Sequence, residues 1–188
     1  MKDLSLHILD IMQNSIAAKA DIVRVIIEAD VSCDLLTLSI EDNGVGMDDE
    51  FVKKVTDPFV TSRITRKVGL GISLLQASAQ RASGNLEISS VIGKGTTLKA
   101  YFQITNIDRL PLGNIADTIM SMVMSNSEIE FELSLDNKDL QFEFDTREIK
   151  NEIGNVPITQ FEVLTWIREY IDEGIKLIFG GVLNEVDC

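Results

Sequence analysis

Cysteine, histidine and basic charge are all scarce in this chain of 188 residues. Its two cysteines, Cys33 and Cys188, have no metal-ligand spacing. They read as incidental thiols of a reducing cytoplasm rather than as a disulfide or a zinc site. No apolar run approaches the ~20 residues a membrane helix needs. The opening residues Met1 to His7 lack the apolar stretch and small-residue cleavage site of a secretory signal, so a cytoplasmic location is expected. Internal repeats and low-complexity tracts are absent too.

The shortage of bases is uneven. Residues 1–106 hold 13 acids against 11 Lys or Arg, a net of -2, while residues 107–188 hold 17 against 6, a net of -11. The second part would repel phosphate backbones and anionic lipid, which argues against nucleic-acid and membrane partners. Solubility explains such an acidic region; an acidic docking surface for a basic partner is the alternative. With 45% hydrophobic residues the chain can still bury a real core.

Periodicity orders the elements. Leu4, Ile8, Ile11, Met12 and Ser15 recur at helical spacing, so the chain opens with a helix. The β-branched run 22–29 and the alternating run 35–41 read as paired strands, turning at Ser32 to Asp34. A short helix over 48–55, an irregular stretch over 56–69 and a helix over 70–82, ending near Gly84, follow. Two more strands, 85–91 and 96–104, complete a mixed sheet with helices on one face, a two-layer α/β sandwich. Residues 105–113 read as a linker to a small α+β module at 107–188. That module holds a helix (114–125), a hairpin (128–135 and 139–145) and a last helix (159–174). Phe161, Leu164, Trp166, Ile167 and Ile171 are expected to face the core from that last helix, with an interface as the alternative place for Trp166. Met120, Met122 and Met124 read as packing residues.

Four short segments carry chemistry. Asp10 and Asn14 stand four apart in the first helix, so a carboxylate and an amide leave one face of it. Such a pair suits polarising water and ligating Mg²⁺, which prefers oxygen donors. Asp42-Asn43-Gly44-Val45-Gly46-Met47 follows a strand, and its glycines allow a close backbone approach. Gly69-Leu70-Gly71 precedes a helix, where free N–H groups make an anion site. Gly93-Lys94-Gly95-Thr96-Thr97 opens the last strand of the first module. Each is weak alone.

Together, in this order, they resemble the GHKL superfamily: gyrase, the ninety-kilodalton heat-shock chaperone, histidine kinases and MutL. The resemblance covers residues 1–106 and implies the Bergerat ATP-binding fold, with ATP and Mg²⁺ as cofactors. It implies Asn14 as the Mg²⁺ ligand, and Asp10 standing where hydrolytic members carry a Glu that activates water. Histidine kinases commonly carry Asn at that place. Asp42 would accept the adenine amino group, Gly44, Gly46 and Met47 would shape the base pocket, and Gly69, Leu70 and Gly71 would face the phosphates. The run Pro58 to Arg63 resembles the Pro-Phe-x-Thr stretch of histidine kinases, which makes Thr61, Ser62 and Arg63 lid contacts. Thr97 would support Asp42. His7, the only histidine, is either an orienter or proton partner of Asp10 or a polar residue near a helix start. It is not expected to be a phospho-acceptor, since only six residues precede it. The implied function is that of an ATP-binding regulatory protein with ATPase or protein-kinase-like activity. The alternative is a non-hydrolysing switch whose ATP occupancy is read by a protein partner.

Overall fold

Asp3 starts the first helix by accepting the Leu6 N–H on its side chain at 3.0 Å, so one of the four orphan donors of the helix start is satisfied. A computed structural model of the chain describes residues 2–55, 70–181 and 183. Its helices are α1 (Leu4–Ala17), α2 (Asp49–Val52), α3 (Leu70–Arg81), α4 (Ile115–Ser125), α5 (Thr146–Ile153) and α6 (Phe161–Phe179). Its strands are β1 (Ile22–Asp30), β2 (Leu35–Asp42), β3 (Asn85–Val91), β4 (Gly95–Gln103), β5 (Glu130–Asp136) and β6 (Gln141–Asp145). They form one mixed sheet in the order β3-β4-β2-β1-β5-β6, in which β1 and β5 are the parallel pair.

Alternate residues of each strand enter one core. Val23, Val25 and Ile27 of β1, Leu36, Leu38 and Ile40 of β2, and Phe131, Leu133 and Leu135 of β5 are all buried. The helices α1, α3, α4 and α6 cover this face and touch one another. The opposite face carries Arg24, Glu28, Glu41, Lys99 and Tyr101. This is the α/β sandwich expected from the order of elements.

The stretch 105–113 is clamped in place. Leu4 and Ser5 N–H groups donate to the carbonyls of Pro111 (2.9 Å) and Leu112 (2.8 Å). The Arg109 guanidinium donates to the Ile104, Leu110 and Leu183 carbonyls. Beyond it β5 adds to β1 in register, with Val25 opposite Leu133 and Ile27 opposite Leu135. The sheet and the core therefore run across position 106 without a break.

Three local features differ from the sequence reading. The helix expected over 48–55 is a single turn, capped by Asp48 on the Phe51 N–H. The short helix α5 was not expected; Asp145 caps it by accepting the Arg147 N–H at 2.8 Å. Glu148 three residues later completes a pattern that marks such a start. On α6, Leu164, Ile167, Ile171 and Ile178 do face the core, but Phe161 is 77% and Trp166 47% exposed. The helix also runs on to Phe179, and its buried stripe leaves Trp166 outside.

Phe131 is fully buried where β5 joins β1. Phe131→Ala is expected to cost about 3–5 kcal/mol. In urea titration followed by far-UV dichroism, that loss should shift a single transition covering the whole chain, because both parts share the sheet.

Candidate functional site

The carboxyl end of β2 meets α1 at a bonded carboxylate. Asp42 Oδ2 accepts the Ser15 hydroxyl at 2.8 Å, and Oδ1 accepts the Gly44 N–H at 2.9 Å. Both bonds fix the orientation of the group, and each oxygen keeps a further lone pair for a ligand. Ser15 lies on the buried side of α1, one residue after Asn14.

The loop after Asp42 is held from four directions. Asn43 turns its side-chain oxygen onto the Asp21 and Ile22 N–H groups, at 2.8 and 2.9 Å. Val45 N–H donates to the Ala18 carbonyl (2.9 Å), and the Val45 carbonyl accepts from Gly93 (2.8 Å). Met47 N–H donates to the Ser90 hydroxyl at 2.8 Å. That hydroxyl also lies 2.9 Å from both the Gly95 carbonyl and the Thr96 hydroxyl. Gly44 is buried under Ala18.

Two glycines are obligatory here. Gly46 has φ +67, and a Cβ on it would lie 2.1 Å from the Val91 carbonyl oxygen. Gly95 has φ +107, with a Cβ position only 1.8 Å from the Asp42 carbonyl oxygen. A side chain at either would both strain the backbone and push the hairpin off the loop.

Asp10 is half-buried at the start of α3: its Oδ2 lies 2.9 Å from where a Gly71 Cβ would stand. Asn14 lies one turn further along α1 and is exposed. The first segment, the Asp42 loop, the start of α3 and the β3–β4 hairpin thus converge. Leu70 opens α3. Thr61, Ser62, Arg63 and Gly69, with the rest of 56–69, lie outside the described residues. A cavity of about 460 Å³ beside Cys33, Asp34, Ser83 and Gln103 opens at the other end of the sheet and includes none of these residues.

Two expectations change. Across β2 and β4 the register sets Thr96 opposite Asp42, whereas Thr97 is opposite Glu41. Directly opposed residues share a face, so Thr96 is the threonine beside the Asp42 carboxylate. Thr97 points to the other face. His7 is buried, and the hydrogen bond it makes is with Ser78 of α3, at 3.4 Å from Nε2, not with Asp10. Nδ1 has no partner among the described residues. Burial lowers its pKa to about 4, so it is a neutral core histidine that packs α1 on α3. Spacing put Ser15 on the buried stripe of α1 but gave no sign of its bond to Asp42, and Ser90 was not singled out, because a lone serine carries no signal for a distant partner.

Magnesium can be tested against these donors. Among the described residues no group of three or more His, Cys, Asp or Glu could hold a metal. Asp10 and Asn14 offer oxygen donors on one helix face, which fits Mg²⁺ shared with substrate phosphates rather than caged by protein.

With this geometry in hand, the chain can be placed. The family model of histidine kinase-, DNA gyrase B- and HSP90-like ATPases matches residues 2–106. The chain belongs to this family, whose domains bind ATP. It is 36% identical over 77 residues to the signal transduction histidine-protein kinase AtoS of Escherichia coli, covering 41% of this chain and 12% of that protein. It is 37% identical over 70 residues to the phosphate regulon sensor protein PhoR of Pseudomonas aeruginosa, covering 35% of this chain and 16% of that protein. The chain thus spans less than a fifth of the length of these sensor kinases. The N-terminal domain of a DNA repair protein shares the fold, with a TM-score of 0.56 at 15% identity over 76% of this chain and 52% of that one. No helix among the described residues is long and apolar enough to cross a membrane.

The histidine yields a pH prediction. Its folded pKa of about 4 lies below the ordinary 6.5. Between these values the unfolded chain binds a proton that the folded one refuses. The associated stability is complete above pH 6.5 and falls as pH drops toward 4, by about 3 kcal/mol in all. Urea midpoints measured from pH 7 to 4 should show this slope, and His7→Gln should flatten it.

Proposed function

We propose that this chain is a Mg²⁺-ATP-dependent regulatory protein that hydrolyses ATP or passes its γ-phosphoryl group to a partner protein in the cytoplasm. The observation that carries the reading is the placement of Asp10. Its carboxylate sits against the N-terminal end of α3, where the family's phosphates bind, one helical turn from Asn14.

Each residue then has a stated task. Asp42, oriented by Ser15 and Gly44, accepts an N–H of the adenine amino group. That contact selects adenine over guanine, which presents a carbonyl there. Gly44, Gly46 and Met47 shape the base pocket, and Leu70 and Gly71 offer backbone N–H groups at the helix start. Gly69, Thr61, Ser62 and Arg63 are the proposed remaining phosphate contacts. Asn14 would hold Mg²⁺, which neutralises phosphate charge when bound. Asp10 takes the proton of the attacking water, or of a hydroxyl or imidazole on the partner, as that nucleophile bonds to the γ-phosphorus and the bond to the bridging oxygen breaks, releasing ADP. Residues 107–188 act as the part that meets the partner protein.

Phosphate release from Mg²⁺-ATP by the purified chain tests this. Asp10→Asn should abolish release while ATP still binds, and Asn14→Ala should abolish Mg²⁺-dependent binding or turnover. ATP bound tightly with no release by the wild type, alone or with candidate partners, would instead favour an occupancy switch. That result would fit the aspartate's reach, one methylene shorter than glutamate. Separately, Asp42→Ala should weaken ATP binding in calorimetry about 10-fold or more, the scale of one lost hydrogen bond to a charged group.

A further inference from the structure

The outward side of α6 carries an aromatic and acidic stripe unrelated to the nucleotide site. Glu162, Trp166, Glu169, Tyr170, Glu173 and Leu177 recur at spacings of three and four, so they share one face. Trp166 stacks on Tyr170 with ring centroids 5.1 Å apart and planes 8° from parallel. Tyr170 in turn leans on Phe142 of β6 at 4.9 Å. Gly174 allows this close seating of helix on strand, since a Cβ there would lie 2.6 Å from the Phe142 ring. The stacked pair is thus held from behind, while Trp166 remains 47% and Leu177 61% exposed.

The charge around it is of one sign. Glu162, Glu169 and Glu173 are exposed and, among the described residues, enter no ion pair. The two cations of α6 are committed elsewhere: Arg168 to Asp117 at 2.5 Å and Lys176 to Asp172 at 2.6 Å. A second copy of the chain would bring acid against acid here, and an anionic lipid surface would be repelled.

We infer that this stripe is a docking surface for an arginine-bearing segment of a partner protein. A guanidinium can lie flat on the indole face that Tyr170 leaves free, with its fork in the field of the exposed carboxylates Glu162, Glu169 and Glu173. The aliphatic part of such a segment would cover Leu177. Arginine is favoured over lysine because only the planar group can stack and pair at once. The inference draws on the proposed function only in giving residues 107–188 the partner contact.

Trp166 is the only tryptophan of the chain, so its fluorescence reports on the stripe directly. The full chain, without nucleotide, would be titrated with octa-arginine and octa-lysine peptides. Octa-arginine is expected to shift the emission and to bind about fivefold or more tightly than octa-lysine, since only the planar guanidinium stacks and pairs at once. Glu169→Gln/Glu173→Gln should weaken octa-arginine about 10-fold, whereas Glu50→Gln/Asp108→Asn, with the same charge change far along the chain, should leave it within about twofold. Trp166→Ala, followed by calorimetry, should erase the preference for arginine. Equal losses in the two double variants, equal affinity for both peptides, or an unmoved emission would overturn the inference. So would a dimer in sedimentation that Trp166→Ala dissolves, since a second copy would then own the surface. Because no step involves ATP, a failed phosphate-release assay and a failed peptide titration are separate results.

Discussion

Burial of Leu4, Ile8, Ile11 and Met12 against the sheet holds α1 in one rotation about its axis. Every functional group on that helix takes its direction from this packing. Ser15 continues the buried stripe and so reaches Asp42 at the end of β2. Asp10 and Asn14 lie off the stripe and so reach the start of α3 and solvent. His7 falls between, inside the contact of α1 with α3, and is kept neutral there. A rotation of α1 by one residue would bury Asp10 and disconnect Asp42 together.

The second half of the chain is attached through polar bonds as well as apolar burial. Glu132 on β5 accepts from Arg24 of β1 and from Arg147 of α5, while Arg147 also pairs with Asp145. These side chains lie on the open face of the sheet, directly across its parallel joint. Glu132 is nearly buried, so removing one arginine would leave a poorly hydrated carboxylate short of a partner. Together with the Arg109 clamp, this network makes the acidic half an extension of the ATP-binding domain's sheet.

The two ends of that sheet carry different chemistry. At one side the carboxylate of Asp42 is bonded on both oxygens and surrounded by backbone that glycines let approach. At the far edge Glu162, Glu169 and Glu173 of α6 enter no ion pair among the described residues and stand beside an exposed indole. The first arrangement suits a small ligand with a fixed donor pattern. The second suits a flexible cationic side chain, for which no enclosed pocket is needed.

Local pattern was enough for α1, for the strands β1 to β4 and for the hairpin of β5 and β6, since period and turn residues act within a few positions. The Asp42 loop and the glycines at 46 and 95 were equally legible, because steric demand for glycine is written in the residue itself. The eight-residue α5 has too few turns to show a period, and only its Asp145 cap with Glu148 three residues on signalled it. What lay beyond the sequence was every choice made between distant segments. Which strand β5 would join, and in which direction, depends on the edge left open by β1. Whether Thr96 or Thr97 stands beside Asp42 depends on strand register, where a shift of one residue reverses the face. Trp166 has the composition of a core residue, and only the packing of α6 on Phe142 and Gly174 decided that it faces water. The sequence by itself determined the local elements and which candidate polar groups they carry; the tertiary structure decided their partners, because contact across the sheet is a property of register and rotation that no single segment contains.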